Sequence, residues 1–348
     1  MSPQPEPLKL TVPAALEGER LDRGLALLAG LSRARAAQVV AEGHARVGGA
    51  ALRSGSRRLR SGEVLEVELP GRQVFPGERP PTGGGEGARP DSPRATLLYV
   101  DDDVIVVDKP AGLVVHPGAG NAGGTLVQQL LDLFPDLAAA GPDGARPGVV
   151  HRLDKGTSGL LVVARNEAAR EALVRQMSAR LVERYYLVLV HGKLGASDGL
   201  IDAPVARSPS HRLKMAVVHG GRAARTHYRV LGTSGASLES TLLACRLETG
   251  RTHQVRVHFA AIGHPVVGDA TYATPTQSLQ VRAALPELER PWLHAARLGF
   301  THPVSGAALS FSSPPPRELE TVLTALALAL PDSLLRELAL PGGETGPE

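Results

Sequence analysis

The run His151-Arg152-Leu153-Asp154 sets a carboxylate two residues behind an arginine, just before the glycine-led apolar stretch Thr157 to Arg165. An aspartate in such a place ordinarily serves a turn, accepting from nearby backbone N–H groups. Held ionised by a neighbouring cation, it can also act as a nucleophile or a base. The groups that could keep it company are Arg152, Lys109 in Lys-Pro-Ala-Gly, Tyr185 or Tyr186 in Glu-Arg-Tyr-Tyr, and the segment GRTHQVRVH with Arg251, His253 and Arg256. Lys109, at a Pro-Gly turn, reads as structural. Metal chemistry is not expected, because His253, His258, His264 and Asp269 show no compact ligand spacing and a helix would put His253 and His258 on different faces. A two-carboxylate glycosidase needs a second acid beside Asp154, and Asp269 in VVGDATY reads as a turn residue.

These groups need elements to hold them. LLYVDDDVIVVDK reads as two strands divided by a polar turn, closed by KPAG. Asn166 is placed to cap a helix in which Ala169, Leu173, Val174 and Met177 keep helical spacing, and YYLVLVHG returns as a strand. Thr252 is placed to cap a helix that stops at Gly263. From Pro314 a proline stop precedes an apolar helix, and residues 331–348 form a C-terminal tail.

Ahead of all this, residues 8–70 form a small unit. Leu21, Leu25 and Leu28 recur at helical spacing, Ser32 can cap a second helix, and Gly48-Gly49 sits where a hairpin turn needs positive φ before the alternating EVLEVEL. Residues 71–94 are rich in Pro, Gly and charge and read as a linker. The large domain spans residues 95–330.

The chain has 348 residues, 43% hydrophobic and 21% charged, which fits a folded protein of two or three domains. Its net charge is only +3, yet of 38 basic residues five are lysine and 33 arginine, the side chain whose fork suits phosphate. The one cysteine, Cys245, allows no internal disulfide, and neither a secretory leader nor a membrane-length apolar run is legible, so a cytoplasmic protein without a membrane role is expected. Aromatic content of 3% argues against a long platform for stacking single strands.

Two resemblances sharpen this. RLDRGLALLAGLSRARAAQVVAEGHARVGG with SGEVLEVELP resembles the S4-type RNA-binding domain, which implies a phosphate-facing surface from Arg33 and Arg35 with Arg53, Arg57, Arg58 and Arg60. HRLD with TSGLLVVAR, KPAGLVVHPG, ERYYLVLVHG and TGRTHQVRVHFAAIGHPVVGD resemble, in order and rough spacing, the RluA-type pseudouridine synthases over residues 97 to about 326. HPGAGNAGGTL looks most like the D-type large-subunit ribosomal RNA branch.

The resemblance implies an α+β fold, a bent and mainly antiparallel mixed sheet with flanking helices around a central cleft, and isomerisation of uridine to pseudouridine without cofactor or metal. By position in the motifs, Asp154 is the essential carboxylate, Arg256 its cation, and Tyr186 the ring that stacks on the extruded base. Arg152 would fill the gap the base leaves, and Arg251 and His253 would hold flanking phosphates. The partner implied is ribosomal RNA, a large-subunit stem-loop free or in pre-ribosomal particles, met by a monomer. A transfer-RNA synthase and a non-catalytic assembly protein are the alternatives. Two letters depart from the family pattern: Asp108 where Asn is frequent, and Gly156 where an acid is frequent, which would leave the catalytic loop freer.

Overall fold

The computed structural model describes residues 8–13, 16–29, 33–67, 93–118, 123–141, 146–211 and 214–331. The proposed linker, apart from residues 93 and 94, and the tail from residue 332 lie outside them, as does the Ser32 cap.

In the N-terminal unit the elements are β1 (Leu8–Thr11), α1 (Leu21–Ala29), α2 (Arg33–Ala41), β2 (Ala45–Val47), β3 (Ala50–Leu52) and β4 (Val64–Val67), with strand order β1-β4-β2-β3. Leu21 and Leu25 of α1 meet Val39 and Val40 of α2 over Leu65 and Val67, and this small core is closed by Leu59. Gly48 and Gly49, at φ 55° and 80°, make the β2–β3 turn.

The large domain is built on a nine-stranded sheet. Its strands are β5 (Thr96–Val100), β6 (Val104–Lys109), β7 (Ser158–Ala164), β8 (Glu183–His191), β9 (Asp198–Asp202), β12 (Arg225–Ser234), β13 (Ser240–Leu247), β14 (Leu293–Thr301) and β15 (Ala308–Ser312). A separate ribbon pairs β10 (Val205–Arg207) with β11 (Met215–Val217). The large sheet runs β5-β6-β7-β14-β8-β13-β12-β9, with β15 added beside β14. Every pairing is antiparallel except β7 with β14, which join in parallel at Ser158–His294 and Ala295–Gly159. That contact explains a glycine at the head of β7: Gly159 has φ 113°, and a Cβ there would lie 2.3 Å from the Ala295 carbonyl oxygen. Mixed α+β architecture with a mostly antiparallel sheet is thus what the sequence led one to expect.

Helices α3 (Leu126–Leu133), α4 (Glu167–Ser178), α5 (Gln254–Ala261), α6 (Pro275–Ala284) and α7 (Arg317–Ala325) flank the sheet. Alternation along β8 decides what each face carries. Tyr186, Val188 and Val190 join Val107, Val163, Leu243 and Phe259 in one core, while Leu187 and Leu189 join Trp292, Leu319 and Leu323 in another. Asn166 caps α4 by accepting from Ala169 N–H at 2.9 Å, and Thr125 and Gln128 form a reciprocal cap on α3. No helix among the described residues is long and apolar enough to cross a membrane.

Candidate active site

The loop bearing Asp154 is clamped from several sides. Within it, Thr157 N–H donates to the Asp154 carbonyl at 3.1 Å, and Lys155 O accepts from Gly112 N–H of the KPAG turn at 2.7 Å. Arg290 Nη1 donates to Gly156 O at 3.1 Å. His151 fastens the loop to β7, its Nε2 accepting from Val162 N–H at 3.1 Å, and burial pushes this imidazole down to about 3, so it stays neutral. Gly156 is therefore not a point of freedom. A Cβ at that position would stand 3.0 Å from Pro291 Cδ, so close packing, rather than flexibility, accounts for the missing side chain.

Lys109 is fully buried, and its Nζ donates to Pro110 O and Leu113 O at 2.9 Å each, closing the KPAG turn on which the loop leans. Burial lowers its ammonium to about 7, against which the charge of Asp154 pulls. The Asp108 carboxylate accepts from the Ser313 hydroxyl.

Asp154 lies partly open to a cleft of about 630 Å³. Its Oδ2 accepts from Arg256 Nη1 at 3.1 Å. The same guanidinium gives Nε and Nη2 to Asp269 at 2.6 and 2.9 Å, and Asp269 is 1% exposed. Asp269 is thus more than the turn residue expected from VVGDATY: although it does accept from Thr271 N–H, its main partner is Arg256. Burial on its own would lower the Arg256 pKa, but Asp269 and then Asp154 outweigh it and hold the guanidinium above its ordinary value. The Tyr272 ring lies 5.1 Å from this guanidinium.

Helix α5 does not start as expected from Thr252. Its N-cap is His253, in the left-handed region at φ 57° and without a side-chain cap. The turn is held instead by Gln254, whose Oε1 accepts from Thr249 Oγ1 and Arg251 N–H at 2.7 and 3.0 Å. This geometry brings His253 Nε2 to 3.9 Å from Asp154 Oδ2, while its Nδ1 shares a 2.8 Å hydrogen bond with the Tyr272 hydroxyl. Burial, more than the neighbouring charges, lowers the His253 pKa. His258 points elsewhere, its Nε2 donating to Ala203 O at 3.0 Å, and His264 donates to His191 O.

Tyr186 and Tyr185 take opposite sides of β8. Tyr186 lines the cleft, and its hydroxyl makes no hydrogen bond among the described residues. Tyr185 packs on the far side with the Arg297 guanidinium 5.6 Å from its ring. Burial raises the Tyr186 hydroxyl pKa; Arg184 lowers it and Asp154 raises it again. Arg152 is exposed at the cleft and donates to His116 Nε2 at 3.4 Å, and Arg251 donates to Ala223 O at 3.1 Å.

In the N-terminal unit, Arg53, Arg58 and Arg60 are exposed, and Arg58 donates to Gly18 O at 3.0 Å. The Arg57 fork is taken up by Glu63, a partner that the expected phosphate surface did not include. The side chains of Arg33 and Arg35 lie outside the described residues.

Tyr272, Gln254 and Arg184 were not singled out in the sequence, and Asp269 was read there only as a turn residue. Only the strand alternation around Tyr186 offered a signal, for Arg184 shares its face.

The sequence profile described as RNA pseudouridylate synthase matches residues 103–261. A protein of Nitrosomonas europaea named ribosomal large subunit pseudouridine synthase D is 44% identical over 320 residues, 92% of this chain and 88% of its own length. One of the same name from Xanthomonas campestris pv. campestris is 45% identical over 325 residues, 90% of this chain and 91% of its own. Human RNA Pseudouridylate Synthase Domain Containing 1 superposes with a TM-score of 0.54 at 27% identity, covering 71% of this chain and 96% of the human one. With such identity across nearly its whole length, this chain belongs to the RluA-type RNA pseudouridylate synthases.

Proposed function

We propose that the protein isomerises uridine to pseudouridine in large-subunit ribosomal RNA, at a stem-loop of the kind that bridges to the small subunit, with Asp154 as the reactive group. The observation that carries this reading is the hydrogen bond from Arg256 to Asp154, which sets a carboxylate against a fixed cation in the cleft that Tyr186 also lines.

The reaction breaks the bond between C1′ and N1, turns the base, and joins C1′ to C5; the C5 proton leaves and N1 gains one. Asp154 serves the first step by attack on the sugar or base, or by removing a sugar proton. The Tyr186 ring stacks on the base while it is detached. Its hydroxyl starts protonated, because burial and the charge of Asp154 raise its pKa. Should Asp154 enter a covalent bond, its charge disappears and with it one cause of the raised Tyr186 pKa; the hydroxyl then gives its proton to N1, and the phenolate takes the C5 proton. Extruding the nucleotide costs a few kcal/mol. Arg152 offsets part of that by filling the gap, while Arg251 and His253 meet flanking phosphates.

Residues 8–70 act as an S4-type anchor, binding phosphates through Arg58 with Arg33 and Arg35, while Arg57 braces Glu63. The relatives named for the ribosomal large subunit support ribosomal RNA as substrate. Mapping pseudouridines in ribosomal and transfer RNA from a deletion strain tests it. Loss confined to a large-subunit stem-loop is expected; loss confined to transfer RNA would overturn the substrate.

A further inference from the structure

Arg184 is a buried cation of the cleft with no partner among the described residues. It is 7% exposed, its Nε is buried with no hydrogen bond, and its guanidinium forms no ion pair among the described residues. Other arginines of the cleft are engaged or open to water: Arg256 pairs with Asp154 and Asp269, Arg180 with Glu248 at 2.7 Å, Arg251 bonds Ala223 O and Arg152 bonds His116, while Arg146 and Arg222 are exposed. The groups whose electrostatics it shares, Tyr186 and His151, are neutral at neutral pH and balance no charge.

Gly250, in the loop before α5, makes room for this side chain, since a Cβ there would lie 2.7 Å from Arg184 Nη1. A guanidinium withdrawn from water with no counter-charge is costly, and it cannot escape the cost by losing its proton. The missing anion must arrive with the substrate.

We propose that Arg184 forms a phosphodiester subsite, its fork receiving one backbone phosphate next to the extruded uridine. This rests on the cleft being the RNA site. A phosphate carries a permanent charge that matches the permanent charge of the fork and offers two oxygens to it, whereas a uracil carbonyl would leave the cation uncompensated.

The test uses the full-length protein and a synthetic large-subunit stem-loop tritiated at C5 of the target uridine. Without RNA, Arg184→Met should melt at or above the wild-type temperature, because it removes an unpaired buried charge; a clear fall would point to a structural role and overturn the subsite. With RNA, Arg184→Met should bind about tenfold more weakly, and its salt slope should shrink by roughly 0.7 to 0.9, the value of one phosphate contact. Arg184→Lys should recover that slope. A neutral methylphosphonate at one position flanking the target should weaken wild-type binding by a similar factor and Arg184→Met hardly further.

Unchanged affinity and slope in Arg184→Met would overturn the subsite. So would additive losses at every flanking position, or a loss in kcat alone, which would place the fork on the base. If the wild type released no tritium from any RNA, the reading of the cleft would fall and the subsite with it. That failure is distinct from one in which the wild type works and Arg184→Met matches it.

Discussion

Arg256 bridges two aspartates 115 residues apart in the chain: Nη1 reaches Asp154 at 3.1 Å, while Nε and Nη2 are fixed on the fully buried Asp269. Two nitrogens on one carboxylate set the plane of the fork, leaving the third to aim at Asp154. Asp269, fully buried, thereby fixes the orientation of the Arg256 group that meets Asp154.

Asp269→Asn should expose that dependence. It leaves Arg256 with less compensating charge, so the variant should lose about 3 kcal/mol of stability, in the range for breaking a buried ion pair. Tritium release should fall at least tenfold, with RNA affinity within twofold of wild type. Thermal melting and single-turnover assays would check both, and an unchanged melting temperature together with wild-type release would refute the bracing role.

The two neighbouring tyrosines should separate cleanly. Tyr186→Phe keeps the stacking ring and loses the hydroxyl, so C5 tritium release should drop by roughly 10²- to 10⁴-fold, the usual worth of a placed acid or base. Tyr185→Phe keeps the ring beneath Arg297 and should stay within twofold. Equal effects of the two substitutions would contradict the face assignment of β8.

Lys109 gives a pH signature. Its folded-state pKa is about 7 against an ordinary 10.5, so between these values the unfolded chain binds more protons and stability rises with pH; below about 7 this contribution is flat. From pH 7 to 9 the wild type should gain about 2 kcal/mol relative to Lys109→Met. Denaturant melts at several pH values would show it, and parallel profiles would mean that Lys109 does not titrate in this range.

The parts legible in the sequence were those set by local rules. The Asn166 cap, the Gly48-Gly49 turn and the alternation of β8 follow from short-range stereochemistry, and the Asp154 loop was conspicuous in its motif. What escaped depended on chain segments that meet only in the fold. Asp269 looked like a turn because nothing local shows that Arg256, one turn into α5, faces it. His253 could not be foreseen as a left-handed cap, since Gln254 takes the turn's hydrogen bonds. Gly156 is explained by Pro291, and the burial of Arg184 by Gly250, each distant in sequence.

The most direct test of the account is tritium release from C5-labelled uridine by Asp154→Asn, a substitution that removes the reactive carboxylate with little change in volume. No release above the uncatalysed level is expected, with RNA affinity within twofold of wild type. Release at the wild-type rate would contradict it.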